Sequence, residues 1–383
     1  MTALAIATPL STSGRFIVDA HGKRVRLAGV NWYGASEDAG VPAGLDRVGL
    51  GALAALIAAQ GFNCVRLPFS LWMTRQTAAV EDIYLLANPA LRGSTPLQVY
   101  DACVKALTDH GLIVIPNCHL LDFGWCCSDT DTNGLWFNDR FQAAMFTAAW
   151  QEVTRRYASD PLVAAMDIKN EPRPATLAAG RLAPAWGSGQ ETDFAAMYTT
   201  VGNLIHEIDP HPLIICEGLS YAGDLTGVAS HPVELAQPGK VVYSMHDYSW
   251  FGHSADQSQA AYFEQLDKNG GYLLTEGIAP LWVGEFGDNA SALSAPGGGG
   301  TWWANLRAWL AETDADWCWW ALNPTHGRSS RPGTSQVEYR WGAPEPYGLL
   351  TEDWSAVGYP DVVTMLEAVM QPRTGPGISR ARA

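Results

Sequence analysis

Short β-rich runs closed by turn residues recur along the chain, and between several of them the apolar residues fall on a helical stripe. The runs are Val25 to Tyr33, Cys64 to Phe69, Leu112 to Cys118, Ala165 to Asn170, Leu213 to Glu217, Val241 to Asp247, Leu281 to Phe286 and Trp317 to Leu322. In the segment Leu97 to His110, Leu97, Tyr100, Val104 and Leu107 share one face, and Gly111 follows as a C-terminal stop. Asn138 to Tyr157, Asp193 to Ile208, Trp302 to Leu310 and Tyr359 to Met370 read the same way. Alternating strands and helices predict parallel strands joined by right-handed crossovers, in a closed barrel or an open doubly wound sheet. An open nucleotide-binding sheet needs a glycine-rich turn after its first strand, and Gly29-Val-Asn-Trp-Tyr-Gly34 lacks that spacing. Eight runs match a single α/β domain, the (β/α)8 TIM barrel.

A chain of 383 residues suits one such barrel. Residues 1–372 read as one catalytic domain and 373–383 as a flexible C-terminal tail. The stretch Ala295 to Gly300, between the seventh run and its helix, reads as a surface loop. The first 13 residues hold no basic region followed by an apolar core and cleavage site, so no signal peptide is read; a cytoplasmic location is expected unless the chain was trimmed from a secreted protein.

Composition narrows the partners. A net charge of -15 without a basic block apart from the Arg380 to Arg382 tail argues against nucleic acid, and no apolar stretch is long enough to span a bilayer. A neutral substrate fits better, and the chain is expected to be a monomer. Sixteen tryptophans offer platforms for sugar rings as well as core filling; Trp32, Trp125, Trp136, Trp250 and Trp282 lie near strand ends or their loops and are subsite candidates. Cys64, Cys118, Cys216 and Cys318, four of the seven cysteines, fall in apolar runs and read as buried small hydrophobes.

In a barrel the reacting groups sit at the C-terminal strand ends, here Asn31, Arg66, His119, Glu171, Glu217, His246, Glu285 and Trp320. Among 39 acidic residues, Glu171, Glu217 and Glu285 stand out because they end apolar strands. Glu171 lies between Asn170, an amide for a sugar hydroxyl, and Pro172, which cannot continue a ladder. Glu285 is flanked by Gly284 and Gly287, which permit close backbone approach. Glu217 reads as a structural acceptor. Two carboxyl groups on separate strand ends are what glycosidic bond cleavage requires, one to protonate the leaving oxygen and one to attack the sugar carbon. Arg66 and Tyr248 are donors for the attacking group.

Seven motifs, in order, are similar to one family: Leu27 to Gly34, Val65-Arg-Leu-Pro68, His119, Asn170-Glu171-Pro172, His246-Asp-Tyr248, Trp282 to Gly287, and Trp317-Cys-Trp-Trp320 followed by Asn323-Pro324. Together they resemble glycoside hydrolase family 5, the cellulase family of clan A, from about Phe16 to Trp354. The resemblance implies a (β/α)8 barrel that hydrolyses with retention, Glu171 as acid/base and Glu285 as nucleophile. It also implies that Asn170 meets the sugar 2-hydroxyl, that His119 and His246 bond substrate and acid/base, that Arg66 and Tyr248 bond the nucleophile, and that Trp320 stacks under the sugar.

One stretch departs from simple bacterial cellulases. The loop Asn117 to Trp136, with adjacent Cys126 and Cys127, looks more like less characterised branches of the family, plant ones included. Asp129, Asp131, Asn133 and Gly134 match half of a calcium loop, but Arg140 stands where a bidentate Glu belongs. Cys118, His119, Cys126 and Cys127 lack the spacing of a zinc finger. No metal and no cofactor are expected. The leading reading is a retaining endo-β-1,4-glucanase acting on β-linked oligo- or polysaccharide. Its rivals are an exo-acting β-glucosidase or diglycosidase on small glycosides, and a non-catalytic sugar-binding barrel.

Overall fold

The computed structural model describes residues 6–124, 126–127, 131–251, 256–326, 328–330 and 337–372. Eight parallel strands close a barrel in chain order. They are β1 (Ala28–Asn31), β2 (Cys64–Ser70), β3 (Ile113–Leu120), β4 (Ala165–Asp167), β5 (Leu213–Glu217), β6 (Val241–His246), β7 (Leu281–Phe286) and β8 (Asp316–Trp319). Trp317 of β8 pairs with Ala28 of β1 and completes the ring. This is the (β/α)8 barrel expected from the alternation of runs and stripes, and each strand lies within or overlaps one expected run. The tail 373–383, Trp125 and Asp129 lie outside the described residues.

Seven helices of eight residues or more stand among the described residues: α1 (Leu50–Ala59), α2 (Pro96–Asp109), α3 (Ala143–Tyr157), α4 (Phe194–His206), α5 (Gln259–Leu266), α6 (Gly298–Thr313) and α7 (Pro360–Glu367). Local chemistry starts several of them. Thr95 and Gln98 form a reciprocal capping box on α2, and the Asp193 carboxylate accepts from the Ala196 N–H at the start of α4. The periodicity misses α1 because Leu-Gly-Ala-Leu-Ala-Ala-Leu-Ile-Ala-Ala is apolar or small all round and shows no stripe. It misplaces the start of α6: Gly298, Gly299 and Gly300, expected in a surface loop, form its first turn. Gly297 enters that turn at φ 76, and the Gly298 N–H, which has no partner within the helix, donates to Asp256 Oδ1 at 2.7 Å. No helix among the described residues is long and apolar enough to cross a membrane.

Strand alternation divides the barrel interior into two levels. On β3, Ile113, Ile115, Asn117 and His119 share a face, and on β5, Leu213, Ile215 and Glu217 do. Ile113, Ile115, Leu213 and Ile215 belong to an apolar cluster with Cys64, Val242, Trp282 and Cys318. This cluster fills the N-terminal half of the barrel. The hairpin Ser11–Ser13 with Phe16–Val18 contributes Ile17, and Leu10 just before it joins the same cluster, so the hairpin plugs that end. The same inward faces turn polar toward the C-terminal end, which is where the candidate residues stand.

Outside the barrel, Trp302, Trp303 and Trp309 of α6 are buried with Phe286, Trp317 and Trp319. Trp32 and Trp282, expected as subsite candidates, are fully buried, Trp282 because its inward position lies in the apolar lower level. Trp136 packs edge-on to Phe194 with ring centroids 5.0 Å apart.

Candidate active site

Arg66 on β2 sits fully buried at the centre of the polar end and uses every N–H it has. Nε donates to Asp167 (2.6 Å), Nη1 to Asn31 (2.9 Å) and Glu285 (2.5 Å), and Nη2 to Asn170 (2.7 Å) and Glu217 (2.9 Å). A planar guanidinium alone among side chains can supply this fan of five donors. Burial by itself would lower its pKa, but Asp167, Glu285 and Glu217 more than reverse that and raise it well above the ordinary value.

Glu285 stands on β7 through a register irregularity. Met245 of β6 pairs with Val283, yet the next residue, His246, pairs with Glu285, so one extra residue enters β7. Strict alternation from inward-facing Trp282 would aim Phe286 into the barrel and Glu285 out of it. The bulge reverses this: Glu285 enters the site while Phe286 packs on Trp303 and Trp317 outside. The second oxygen, Oε2, accepts from the Tyr248 hydroxyl at 2.9 Å. Burial raises the pKa of Glu285, opposed by His246, Arg66 and the Tyr248 hydrogen bond.

Glu171 lies beyond the ladder of β4. The expected run Ala165 to Asn170 is strand only to Asp167; the Asn170 N–H still donates to the Cys118 carbonyl at 3.0 Å, and then Glu171 takes φ 45. A left-handed backbone is costly for a non-glycine residue and is held by its surroundings. Here the Glu171 N–H donates to Glu217 Oε2 at 2.7 Å, and Arg173 donates to the Glu171 carbonyl at 2.9 Å. The Glu171 Oε1 and His246 Nδ1 are hydrogen-bonded at 2.9 Å. Burial, opposed by Arg173, Arg66 and Lys169, raises the Glu171 carboxyl to about 7. Burial likewise pushes His246 down to about 4, so its ring is neutral near pH 7.

One oxygen of Glu171, one ring nitrogen of His246 and one oxygen of Glu285 lie within 4.8 Å of one another. The two carboxyls face a cavity of about 670 Å³, a volume in the range of small-molecule sites. His119 and Trp320 form one wall as parallel rings 5.5 Å apart, and Trp320 rests on Tyr33 at 4.9 Å.

The sequence profile of the cellulases, glycosyl hydrolase family 5, matches residues 18–326. The chain belongs to that family. It is 29% identical to an endoglucanase of Paenibacillus polymyxa, over 94% of this chain and 87% of that one. It is 30% identical to a glycosyl hydrolase 5 family protein of Chamaecyparis obtusa, over 96% of this chain and 67% of that one. Among solved structures, an endocellulase of Pyrococcus horikoshii superposes with a TM-score of 0.77 at 25% identity, covering 96% of this chain and 100% of its own. The catalytic domain of the major endoglucanase of Xanthomonas campestris pv. campestris gives the same TM-score and identity over 94% and 99%.

In this family 5 barrel the eight residues singled out from the sequence, Arg66, His119, Asn170, Glu171, His246, Tyr248, Glu285 and Trp320, meet at one end; all but Arg66 line the cavity, and Arg66 lies beneath it. Glu217 is the structural acceptor expected, bonded to Arg66 and to the Glu171 backbone. Burial and Asp167 raise its pKa well above the ordinary value. Of the subsite tryptophans among the described residues, Trp250 alone lines the cavity; it is 60% exposed and stacks on Tyr248 with ring centroids 5.1 Å apart.

The half calcium loop is engaged otherwise: Asp131 forms an ion pair with Arg173 at 2.8 Å, and Asn133 Oδ1 accepts from the Leu121 and Asp122 N–H groups. Cys126 and Cys127 are joined to each other, a pairing the sequence reading did not draw, while Cys64, Cys103, Cys118, Cys216 and Cys318 are buried and free. Sequence reasoning also missed Tyr221, Phe251, Glu345 and Tyr347 in the cavity wall. They stand on loops after β5, β6 and β8, away from any strand end, and carry no local pattern that marks them.

Proposed function

We propose that this family 5 glycosidase is a retaining endo-β-1,4-glucanase in which Glu171 is the acid/base and Glu285 the nucleophile. The proximity of the two carboxyls carries the reading: one oxygen of each lies within 4.8 Å of the other, which fits a retaining pair, about 5–5.5 Å apart, better than an inverting pair, about 6.5–9.5 Å apart. Their surroundings support the division of labour. Glu285 accepts from the Arg66 guanidinium and the Tyr248 hydroxyl, donors that favour a carboxylate able to attack the anomeric carbon. Glu171, raised to about 7, holds a proton for the departing oxygen and, once ionised, takes one from the incoming water. Asn170, fixed through Oδ1 by Arg66, keeps Nδ2 at the cavity, where one N–H faces the Cys126 and Cys127 sulfurs and the other is available to the 2-hydroxyl, and Trp320 supplies a flat apolar face under the sugar.

The names of the relatives in Paenibacillus polymyxa and Xanthomonas campestris support internal cleavage of a β-glucan, as does a structure of the Pyrococcus horikoshii endocellulase with cellotetraose. We further read residues 1–372 as one catalytic domain that acts as a monomer. The region after α7 closes on the barrel through the Trp317 Nε1 bond to the Val369 carbonyl, which supports a single domain.

Reducing ends released from carboxymethyl cellulose, with the β-anomer appearing first by proton NMR, test the reading. Glu285→Gln is expected to lower turnover at least about a thousandfold. Inactivity on every β-glucan, or initial release of the α-anomer, overturns it.

A further inference from the structure

The sulfurs of Cys126 and Cys127 stand at the reacting end of the cavity. Cys126 Sγ is 3.7 Å from Glu171 Oε2, and the Asn170 Nδ2 amide faces both sulfurs, at 3.5 Å from Cys126 and 3.9 Å from Cys127. Both residues line the cavity and are only partly buried. Joined to each other, the sulfurs carry no S–H. The contact with Glu171 is therefore van der Waals contact with a polarisable apolar surface, and the amide of Asn170 finds at most weak acceptors there.

This placement has a direct consequence for substrate. Glu171 Oε1 is engaged by His246, so Oε2 is the oxygen left to meet the glycosidic oxygen. Proton transfer requires that oxygen within hydrogen-bond reach of Oε2, about 2.6–3.2 Å. A sulfur that is 3.7 Å from the same Oε2 and lines the same cavity is placed to contact atoms attached to that oxygen. We propose that the Cys126–Cys127 disulfide is a wall of the leaving-group subsite, packing against the departing sugar and keeping water and competing donors away from the acid oxygen of Glu171.

The proposal rests on the assignment of Glu171 as acid/base. A wall without donors favours the neutral carboxyl, in keeping with its pKa near 7. A phosphine reductant converts the disulfide, with one water, to two thiols and a phosphine oxide, and so places an S–H donor beside Oε2. The other cysteines are buried and free, so this pair is the target.

The test compares three preparations: the enzyme as isolated, the enzyme treated with tris(2-carboxyethyl)phosphine, and the Cys126→Ala/Cys127→Ala double variant. Each is assayed on cellotetraose, whose leaving sugar needs the acid proton, and on 2,4-dinitrophenyl β-cellobioside, whose leaving group does not. In the reduced enzyme and the variant, kcat/KM on cellotetraose is expected to fall about tenfold, and the upper limb of its pH profile to move to lower pH. On the dinitrophenyl glycoside kcat/KM is expected to stay within about threefold, since no proton is required. Equal losses on both substrates, or no change on either, overturn the proposal; if the double variant does not fold, the reduced enzyme decides. An untreated enzyme inactive on both substrates instead overturns the endoglucanase reading beneath it.

Discussion

The backbone N–H of Glu171 donates to Oε2 of Glu217, while Oε1 of the same carboxylate accepts from Arg66. One buried side chain thus links the guanidinium under Glu285 to the left-handed backbone that presents Glu171. Glu217 touches neither reacting oxygen and acts by positioning. Glu217→Ala strips Arg66 of one buried acceptor and leaves the Glu171 N–H unbonded, a loss expected to cost about 3–5 kcal/mol of stability. Turnover is expected to fall about a hundredfold with little change in KM, because a misplaced acid harms the transition state more than binding. Glu217→Gln keeps one acceptor oxygen and is expected to fall between parent and Ala variant. Urea unfolding and steady-state kinetics on cellotetraose check both; parent-like turnover in Glu217→Ala refutes the role.

Glu171 sets a pH dependence whose sign follows from its environment. Its carboxyl titrates near 7 in the folded protein against an ordinary 4.5. Between these values the folded state holds a proton that the unfolded chain has released, so stability falls as pH rises through the window, by on the order of 3 kcal/mol. Activity on cello-oligosaccharides is expected to decline above about pH 7 as the acid loses its proton. Glu171→Gln is expected to remove the stability effect, so that thermal midpoints at pH 5 and 7.5 draw together, and the parent enzyme is expected to show the alkaline limb on cellotetraose but not in kcat/KM on a dinitrophenyl glycoside, whose leaving group needs no proton.

Trp250 is an exposed indole face at the cavity rim, supported from below by Tyr248. A sugar ring laid on it gains stacking without any cost to the fold. Trp250→Ala is expected to raise KM on cellotetraose or longer chains about tenfold and to leave kcat/KM on an aryl β-cellobioside and the unfolding midpoint unchanged. An equal change on long and short substrates removes Trp250 from the list of subsites.

Arg66→Lys keeps the positive charge and loses the fan of donors. An ammonium has three N–H groups where the guanidinium fills five bonds to Asn31, Asp167, Asn170, Glu217 and Glu285. The variant is expected to be less stable by about 3 kcal/mol or more, because buried carboxylates are left short of partners. Its turnover is expected to fall at least about a hundredfold, through loss of support for Glu285 and Asn170 together. Circular dichroism melts and kinetics on an activated aryl glycoside separate the two losses.

The eight strands were legible because each is a short run bounded by turn residues, and the site was legible because barrel strands end at one face. Thus His246 and Glu285 stand at the ends of β6 and β7 as position implies, whereas Arg66 is the third residue of β2 and Glu171 lies four residues past β4, so these two were singled out with the help of the family motifs. Helix α1 was not, since an Ala- and Leu-rich segment has no stripe to read, and neither were Tyr347 and Glu345, whose loop reaches the cavity only because the chain after β8 folds back over Tyr33 through the Tyr33 hydroxyl bond to Glu345.

Local pattern by itself determined strand number, strand order and which residues close each strand, because burial and turn chemistry act over a few neighbouring residues. Only the tertiary structure decided the distances and directions. The extra residue in β7 aims Glu285 inward, the side chain of Glu217 holds Glu171 in a backbone conformation that its own residue type disfavours, and the third loop folds Cys126 and Cys127 against Glu171. Each depends on contacts between segments far apart in the chain, where close packing and the need to pair buried charge act together.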